Sequence, residues 1–414
     1  MAGGTAVGQI AQVASSPVIS RLYSPADFGA LTLYVSVLSL ITVAASLRYE
    51  IAIPIAEDDD TAGNLLVLCL AIVLSTGLVI GVAVLLLGGL AERIPRLAVL
   101  DKYQWLLPVG FVGIGMYQAL SYWAVRQSAY SRLARTKVQQ SAWMVATQVG
   151  LGFLGTGSLG LMLGYAVSQV AGSCALLAPL WHNSSWPTQR VTLSGLLDAA
   201  RRYRRFPLIS GGSSLLNSAG LQMLPIFLVA MYGAQAGGSF GFGQRILALP
   251  LGILSQSIGQ VYLSEASRLT RGEPANLLGL FYRTTVQLLV IGCILVVAVV
   301  LFAPAVFAFV FGSVWYAAGQ YVQVLAPVLL GQLVAVPVSQ TLNIIERQDI
   351  QLGWDASRLV VTLVVVLLAA SVNLPVIHTI ALYSATTTCS YVGLLLLIAG
   401  QLRRRVQETE ATQR

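Results

Sequence analysis

Charge is what this sequence has least of. Of its 414 residues only 10% are Asp, Glu, Lys or Arg, while 56% are hydrophobic. An ordinary soluble domain carries about 25% charged residues, so this stock cannot cover a water-facing surface. A soluble enzyme and a disordered chain are both excluded. Acids are scarcer than bases, 16 against 24, which leaves a net charge of +8. Lysine is nearly missing: Lys102 and Lys137 are the only two, a bias we read as genome composition. The four cysteines, Cys69, Cys174, Cys293 and Cys389, sit singly in apolar runs, with no CxxC pair and no histidine cluster near them. They read as small buried hydrophobes, and neither a metal site nor a disulfide is expected. His182 and His378 lie at opposite ends of expected spans and cannot form one site. No Walker A sequence and no GxSxG elbow occurs, so ATP hydrolysis and triad-type catalysis have no candidate. No loop exceeds about 25 residues, which leaves a membrane enzyme nowhere to hold catalytic groups. The chain is therefore expected not to be an enzyme, to need no cofactor and to have no nucleic-acid partner.

What the sequence has in quantity is apolar length. About 20 apolar residues cross one bilayer core, and hydropathy with Pro/Gly punctuation places twelve spans. They are 5–20, 28–46, 64–90, 104–125, 138–156, 158–181, 207–231, 238–262, 279–302, 318–342, 359–373 and 376–400. Unbroken runs such as Leu65–Leu87 exclude a β-barrel, whose strands alternate. Met1–Ser20 lacks a basic start and carries Gln9 and Gln12, so it reads as a span rather than a signal peptide. With twelve spans both termini share a side. Nineteen of the 24 bases fall in loops on that side and four on the other: Arg21, Arg93, Arg96 and Lys102. The positive-inside rule then expects both termini in the cytoplasm. Loop 47–63 is the discordant one, since it holds Glu57, Asp58, Asp59 and Asp60.

The expected fold class is an all-α polytopic membrane protein of about twelve transmembrane helices in two six-helix bundles. Residues 1–181 form the first bundle, 182–206 a basic cytoplasmic connection, 207–402 the second bundle and 403–414 a cytoplasmic tail. Asp27-Phe28-Gly29 opens span two and Ser239-Phe240-Gly241 opens span eight; Glu50 and Glu265 follow at similar distances. Six spans twice over in one orientation make a parallel repeat, a plan common in secondary transporters. Gly155-Thr-Gly-Ser-Leu-Gly160 matches GxGxxG, but it joins two spans and lacks the strand and acid of a dinucleotide site, so it reads as a tight turn. Gly77/Gly81, Gly160/Gly164 and Gly237/Gly241 suit close helix packing. Asn183-Ser-Ser fits a glycosylation sequon on the side expected to be cytoplasmic. Leu196–Arg205, reading LLDAARRYRR, suits a short interfacial helix drawn to anionic lipid heads, with a substrate role as the other reading.

Arg245 is the one base left inside a span. It falls seven residues into span eight, about 10 Å deep at 1.5 Å per residue. A guanidinium there is costly unless it faces a protein interior or a wet cavity, which makes a functional site the default expectation. An ion pair with an acid of another helix is the structural alternative. Arg21, and the Arg48-Tyr49-Glu50 group ending span two, either face the same cavity or anchor the interface.

The stretch Tyr203-Arg-Arg-Phe-Pro-Leu, with Gly238-Ser-Phe-Gly-Phe-Gly-Gln-Arg-Ile-Leu-Ala-Leu-Pro-Leu and Ile258-Gly-Gln-Val-Tyr, resembles the middle of Wzx-type polysaccharide flippases. Arg21-Leu-Tyr-Ser-Pro-Ala-Asp-Phe-Gly, Leu47-Arg-Tyr-Glu-Ile-Ala-Ile-Pro, Val324-Leu-Ala-Pro and Leu342-Asn-Ile-Ile-Glu-Arg-Gln agree, in order, over nearly the whole chain. Phe240 stands where the family usually has Tyr. Such proteins share a superfamily with lipid II flippases and the multidrug exporters called MATE. The resemblance implies two bundles forming a V that opens alternately to either side of a bacterial cytoplasmic (inner) membrane. It also implies a flippase for undecaprenyl-pyrophosphate-linked oligosaccharide, serving O-antigen, lipopolysaccharide, capsule or exopolysaccharide assembly. Its expected partners are that lipid-linked substrate, membrane lipids, and a polysaccharide polymerase with its chain-length machinery. Arg21, Arg48 and Arg245 stand where arginines bind pyrophosphate in the related lipid II flippases, and Glu50 and Glu265 are candidates for a coupling-ion site. A MATE-like cation-coupled small-molecule exporter is the alternative, and it requires acids embedded in the spans, of which the expected spans hold none at depth.

Overall fold

Twelve long helices account for nearly all of the residues that the computed structural model describes, namely 2–87, 102–182, 191–207, 211–272 and 276–412. No strand occurs among them. In chain order the helices are α1 (Ala2–Leu22), α2 (Pro25–Ile41), α3 (Asp59–Leu87), α4 (Leu106–Arg126), α5 (Tyr130–Phe153) and α6 (Ser158–His182). The short α7 (Leu193–Arg202) precedes α8 (Gly211–Tyr232), α9 (Ala234–Gly272), α10 (Asn276–Phe311), α11 (Tyr316–Ile344), α12 (Gln348–Val372) and α13 (Val376–Thr412). Each expected span corresponds to one long helix. Eight of these are long and apolar enough to cross a membrane, so the chain is a multi-pass membrane protein. The sequon at 183–185, Arg93, Arg96 and Arg190 lie outside the described residues.

Local chemistry sets several boundaries. Ser24 caps α2 by accepting from the Asp27 amide, Asp27 accepts in return from the Ser24 amide, and Pro25 occupies the first turn. Asp27 also accepts from the Ser158 hydroxyl at 2.8 Å, tying the start of α2 to the start of α6. The GxGxxG stretch is the turn expected: Gly155 and Gly157 take φ of +68° and +58°, open to glycine without strain. The more polar long helices, α1, α4, α5 and α9, are those outside the eight. In α1 and α5 the polar groups answer one another: Gln12 donates to Ser141 at 3.0 Å, and Gln148 donates to the Leu161 carbonyl at 3.1 Å. These donors are satisfied within the protein, as a lipid environment requires.

Contacts divide the chain into two compact units, Met1–Gly241 and Phe242–Arg414. The division falls inside α9, beyond the 182–206 connection that the sequence suggested. The reason is a close crossing of α2 with the first turns of α9, together with packing of α8 on α2. A Cβ at Gly238 would lie 1.7 Å from the Pro25 carbonyl oxygen, and one at Gly29 would lie 2.0 Å from that of Ala234. The two Phe-Gly segments noted in the sequence thus lie against each other, with Phe28 and Phe240 buried beside the crossing. In the first unit Tyr34 donates to the Leu106 carbonyl at 2.9 Å and Tyr23 to that of Gln148 at 2.6 Å. In the second, Phe307, Phe311 and Trp315 pack around Phe242, with the Phe242 and Trp315 rings 4.1 Å apart.

Helix α12 departs from expectation at its start. It begins at Gln348, eleven residues before the expected 359, because Asp349, Asp355 and Arg358 depress hydropathy there without breaking the helix. The short eleventh span leaves room for a start near Gly353 with Arg358 at its interfacial end; the helix begins earlier still, and Arg358 lies well inside it.

The α2–α9 crossing gives a direct expectation. Gly238→Val inserts a Cβ and two methyls against backbone, and such overpacking costs about 1–3 kcal/mol. Thermal unfolding of the detergent-purified chain should shift downward, whereas Gly150→Val, where nothing lies within 4 Å of the added Cβ, should not.

Candidate functional site

The first unit holds a strained strap that carries Arg48 and Glu50. After α2 the chain turns through Leu47 and Arg48, both left-handed at φ 50° and 64° without being glycine. Each such residue costs about 1–2 kcal/mol, and strain of this kind persists only where the surroundings over-determine it. The strap then runs as a 3-10 helix over Tyr49–Ile55. Glu50 is 1% exposed; the Ser46 hydroxyl donates to its Oε2, and Arg48 Nη1 lies 3.6 Å from its Oε1. Arg48 keeps 21% of its side chain exposed. The pair therefore fixes the inner side of the guanidinium while part of it faces open space.

Arg126, at the end of α4, secures the far end of the strap. Its Nη1 donates to the Ile53 and Ala56 carbonyls at 3.0 and 2.8 Å, and its Nε to Asp59 at 3.0 Å. Arg202 of α7 pairs with Glu57. These pairs account for the discordant acids of loop 47–63: Glu57 and Asp59 lie at the same end of the unit as the basic loops, each against a guanidinium. Asp58 accepts from the Thr61 amide and hydroxyl at the start of α3, and the amide bond foremost lowers its carboxyl from the ordinary value.

The other expected site residues are distributed more widely. Arg21 is exposed in the last turn of α1, where a cation complements the helix dipole. Arg245 is half-buried, eleven residues into α9, about 16 Å along the helix. Glu265 lies about 30 Å further along the same helix at 1.5 Å per residue, partly exposed and paired with Arg268. Hydrogen bonding from Arg268 lowers the Glu265 carboxyl below its ordinary value. Its small stabilising effect is present above the ordinary carboxylate pKa and fades as pH falls through the depressed one. Arg48 and Glu50 are thus brought together, whereas Arg245 and Glu265 are not.

Sequence reasoning missed a second embedded pair. Asp355 and Arg358, about 10 and 15 Å into α12 by helical rise, are only 8% and 5% exposed. Arg358 Nη2 lies 3.4 Å from Asp355 Oδ1, and Gln351 reaches Oδ2 at 3.4 Å. The guanidinium stacks 4.8 Å over Trp354, whose indole donates to the Ser390 carbonyl at 2.8 Å and packs on Tyr391. Helix α11 brings no Asp, Glu, Lys or Arg, and α13 brings none before Arg403. The expectation that no acid sits deep in a span is therefore corrected by Asp355. The i, i+3 spacing was a readable signal, hidden because hydropathy started the span after it.

Removing one partner of such a pair leaves a buried charge uncompensated and costs about 3–5 kcal/mol. Asp355→Leu should lower the unfolding temperature markedly, and Asp355→Leu/Arg358→Leu should recover most of the loss. Equal losses in the single and double variants would show that the two groups are not coupled.

Comparison with known proteins places this geometry. The sequence matches the family model described as polysaccharide biosynthesis protein over residues 18–320, which includes Arg21, Arg48, Glu50, Arg245 and Glu265. No curated protein matches it. Among solved structures, an inward-facing multidrug resistance MATE family transporter of the MOP superfamily is similar at a TM-score of 0.80 and 17% identity, covering 97% of this chain and 96% of that one. A MOP superfamily transporter from Pyrococcus furiosus is similar at 0.61 and 16%, covering 98% and 94%. A eukaryotic MATE transporter is similar at 0.60 and 19%, covering 98% and 97%. The chain has the fold of these transporters, and it belongs to the polysaccharide biosynthesis protein family.

Proposed function

We propose that this protein is a flippase that carries undecaprenyl-pyrophosphate-linked oligosaccharide repeat units across the bacterial cytoplasmic membrane by alternating access. The repeat units would feed O-antigen, capsule or exopolysaccharide assembly, with a polymerase and chain-length machinery downstream. The observation that carries this reading is Arg245, a guanidinium half-buried within α9 inside the matched family region. An intramembrane arginine marks a substrate or ion path by default. Guanidinium stays charged in any environment and meets phosphate oxygens through two parallel N–H donors. Arg21 and Arg48 are the further head-group ligands in this reading, and the Ser46–Glu50 support of Arg48 suits a residue that must hold its aim. The carrier's lipid tail stays in the bilayer while its charged head crosses among cations. The excess of bases in the loops on the terminal side supports a topology with both termini in the cytoplasm.

One observation favours the competing reading, a MATE-like cation-coupled exporter of small molecules. Asp355 supplies the embedded acid that such coupling needs, beside the candidates Glu50 and Glu265. The two readings differ in what accumulates when the protein is removed. Deletion should leave lipid-linked repeat units on the cytoplasmic side under the flippase reading, and should raise drug sensitivity without that accumulation under the other.

Arg245→Ala should abolish polymer export with protein abundance unchanged, and Arg245→Lys should restore only part of it, because an ammonium offers no planar fork. Wild-type export in Arg245→Ala would remove the basis of the proposal.

A further inference from the structure

Helix α7 has two faces that do different work. Thr192 caps it, accepting from the Gly195 amide at 3.0 Å. One face is docked: Ala199, Ala200, Tyr203 and Phe206 pack into the cluster formed by Tyr49, Ala52, Ile53 and Leu65. Tyr49 of the strap donates its hydroxyl to the Ala200 carbonyl at 3.1 Å. Gly195 lies so close to the Asn64 side chain that a Cβ would stand 2.9 Å from it. The opposite face carries Leu193 and Leu197, 76% and 52% exposed, then Arg201 one turn on and Arg204 just past the helix, both exposed.

Position identifies what meets that face. Asn64, which Gly195 touches, stands where α3 passes from Asp59 and Asp60 to the apolar run beginning at Leu65. Leu193 and Leu197 therefore lie at the edge of the hydrocarbon, with the arginines at head-group height. Asp198 is the one acid in 191–207, and Arg202 is already paired with Glu57. An apolar edge followed by an excess of guanidinium charge fits anionic phospholipid: acyl surface under the leucines, phosphate on the arginines.

We propose that α7 is a binding surface for anionic phospholipid head groups, and that lipid on Arg201 and Arg204 holds α7 against the strap that carries Arg48. The link is visible in the Tyr49–Ala200 hydrogen bond and the Arg202–Glu57 pair. Its consequence for transport rests on the substrate role proposed above for Arg48; the lipid site does not.

The test uses the full chain in vesicles of phosphatidylcholine alone or mixed with phosphatidylglycerol, read by backbone hydrogen exchange over 191–207 and 49–55. Two arginines near an anionic surface should slow exchange in α7 by roughly thirtyfold in the mixed vesicles, at the strength known for basic segments. The strap should slow with it, and added salt should reverse both. Arg201→Gln/Arg204→Gln should remove the difference between the two compositions. Equal exchange in both lipids, or protection that survives the double substitution, overturns the proposal. Export by Arg245→Ala reads the flippase assignment separately: a defect there without any lipid effect discards only the α7 site, and a lipid effect with normal export discards only the flippase assignment.

Discussion

A charge taken into hydrocarbon must bring its counter-charge or its water with it, and this constraint shapes the protein from its composition upward. The effective penalty is several kcal/mol per ion even after relaxation, comparable with the stability of a whole domain. A chain that is 10% charged has little to spend on ornament. Where it buries ions, three cases show the support in detail. Glu50 has Ser46 and Arg48; Arg358 has Asp355 and the face of Trp354; Arg126 is absorbed by two carbonyls and Asp59.

The strap shows how that support becomes geometry. Two successive left-handed residues would relax in an isolated peptide, so the surroundings must hold them. Glu50 holds the beginning, Arg126 holds the end, and α7 covers the side through Tyr49. A strap held at three points gives Arg48 a fixed backbone, and Glu50 adds a charged partner to its guanidinium. Ordering of that kind, done by folding, lowers the entropy cost of any later contact.

Much of this was readable before any coordinates. Apolar run length placed all twelve long helices, because a backbone in lipid has no alternative to helix over such lengths. The Phe-Gly segments at 28–29 and 240–241 were visible as a pattern, and the structure gives the pattern a cause in backbone contact between α2 and α9. What hydropathy concealed were features that depend on partners. Asp355 and Arg358 each look like reasons to end a span; together, with Trp354 over the guanidinium, they are tolerated inside one. The unit boundary at Gly241 was hidden for a related reason, since contact across helices leaves no mark on local composition. Likewise the acids of loop 47–63 offend a charge count taken along the chain, yet lie against Arg126 and Arg202 in space.

The two buried acids are held differently, and the difference bears on what each can do. Glu50 accepts from the Ser46 hydroxyl in a turn that is itself strained. Asp355 is reached at 3.4 Å by Arg358 and at 3.4 Å by Gln351, from one face of a regular helix. Both guanidinium contacts, 3.6 Å at Glu50 and 3.4 Å at Asp355, lie outside the 2.7–2.9 Å of full-strength charge-assisted bonds. No second carboxylate on α11, or on α13 before Arg403, stands ready to replace Asp355. A change at Asp355 removes the carboxylate that faces Arg358 and leaves Trp354 against its guanidinium. Of the two acids, Glu50 is tied to a left-handed turn and Asp355 to an arginine inside a regular helix.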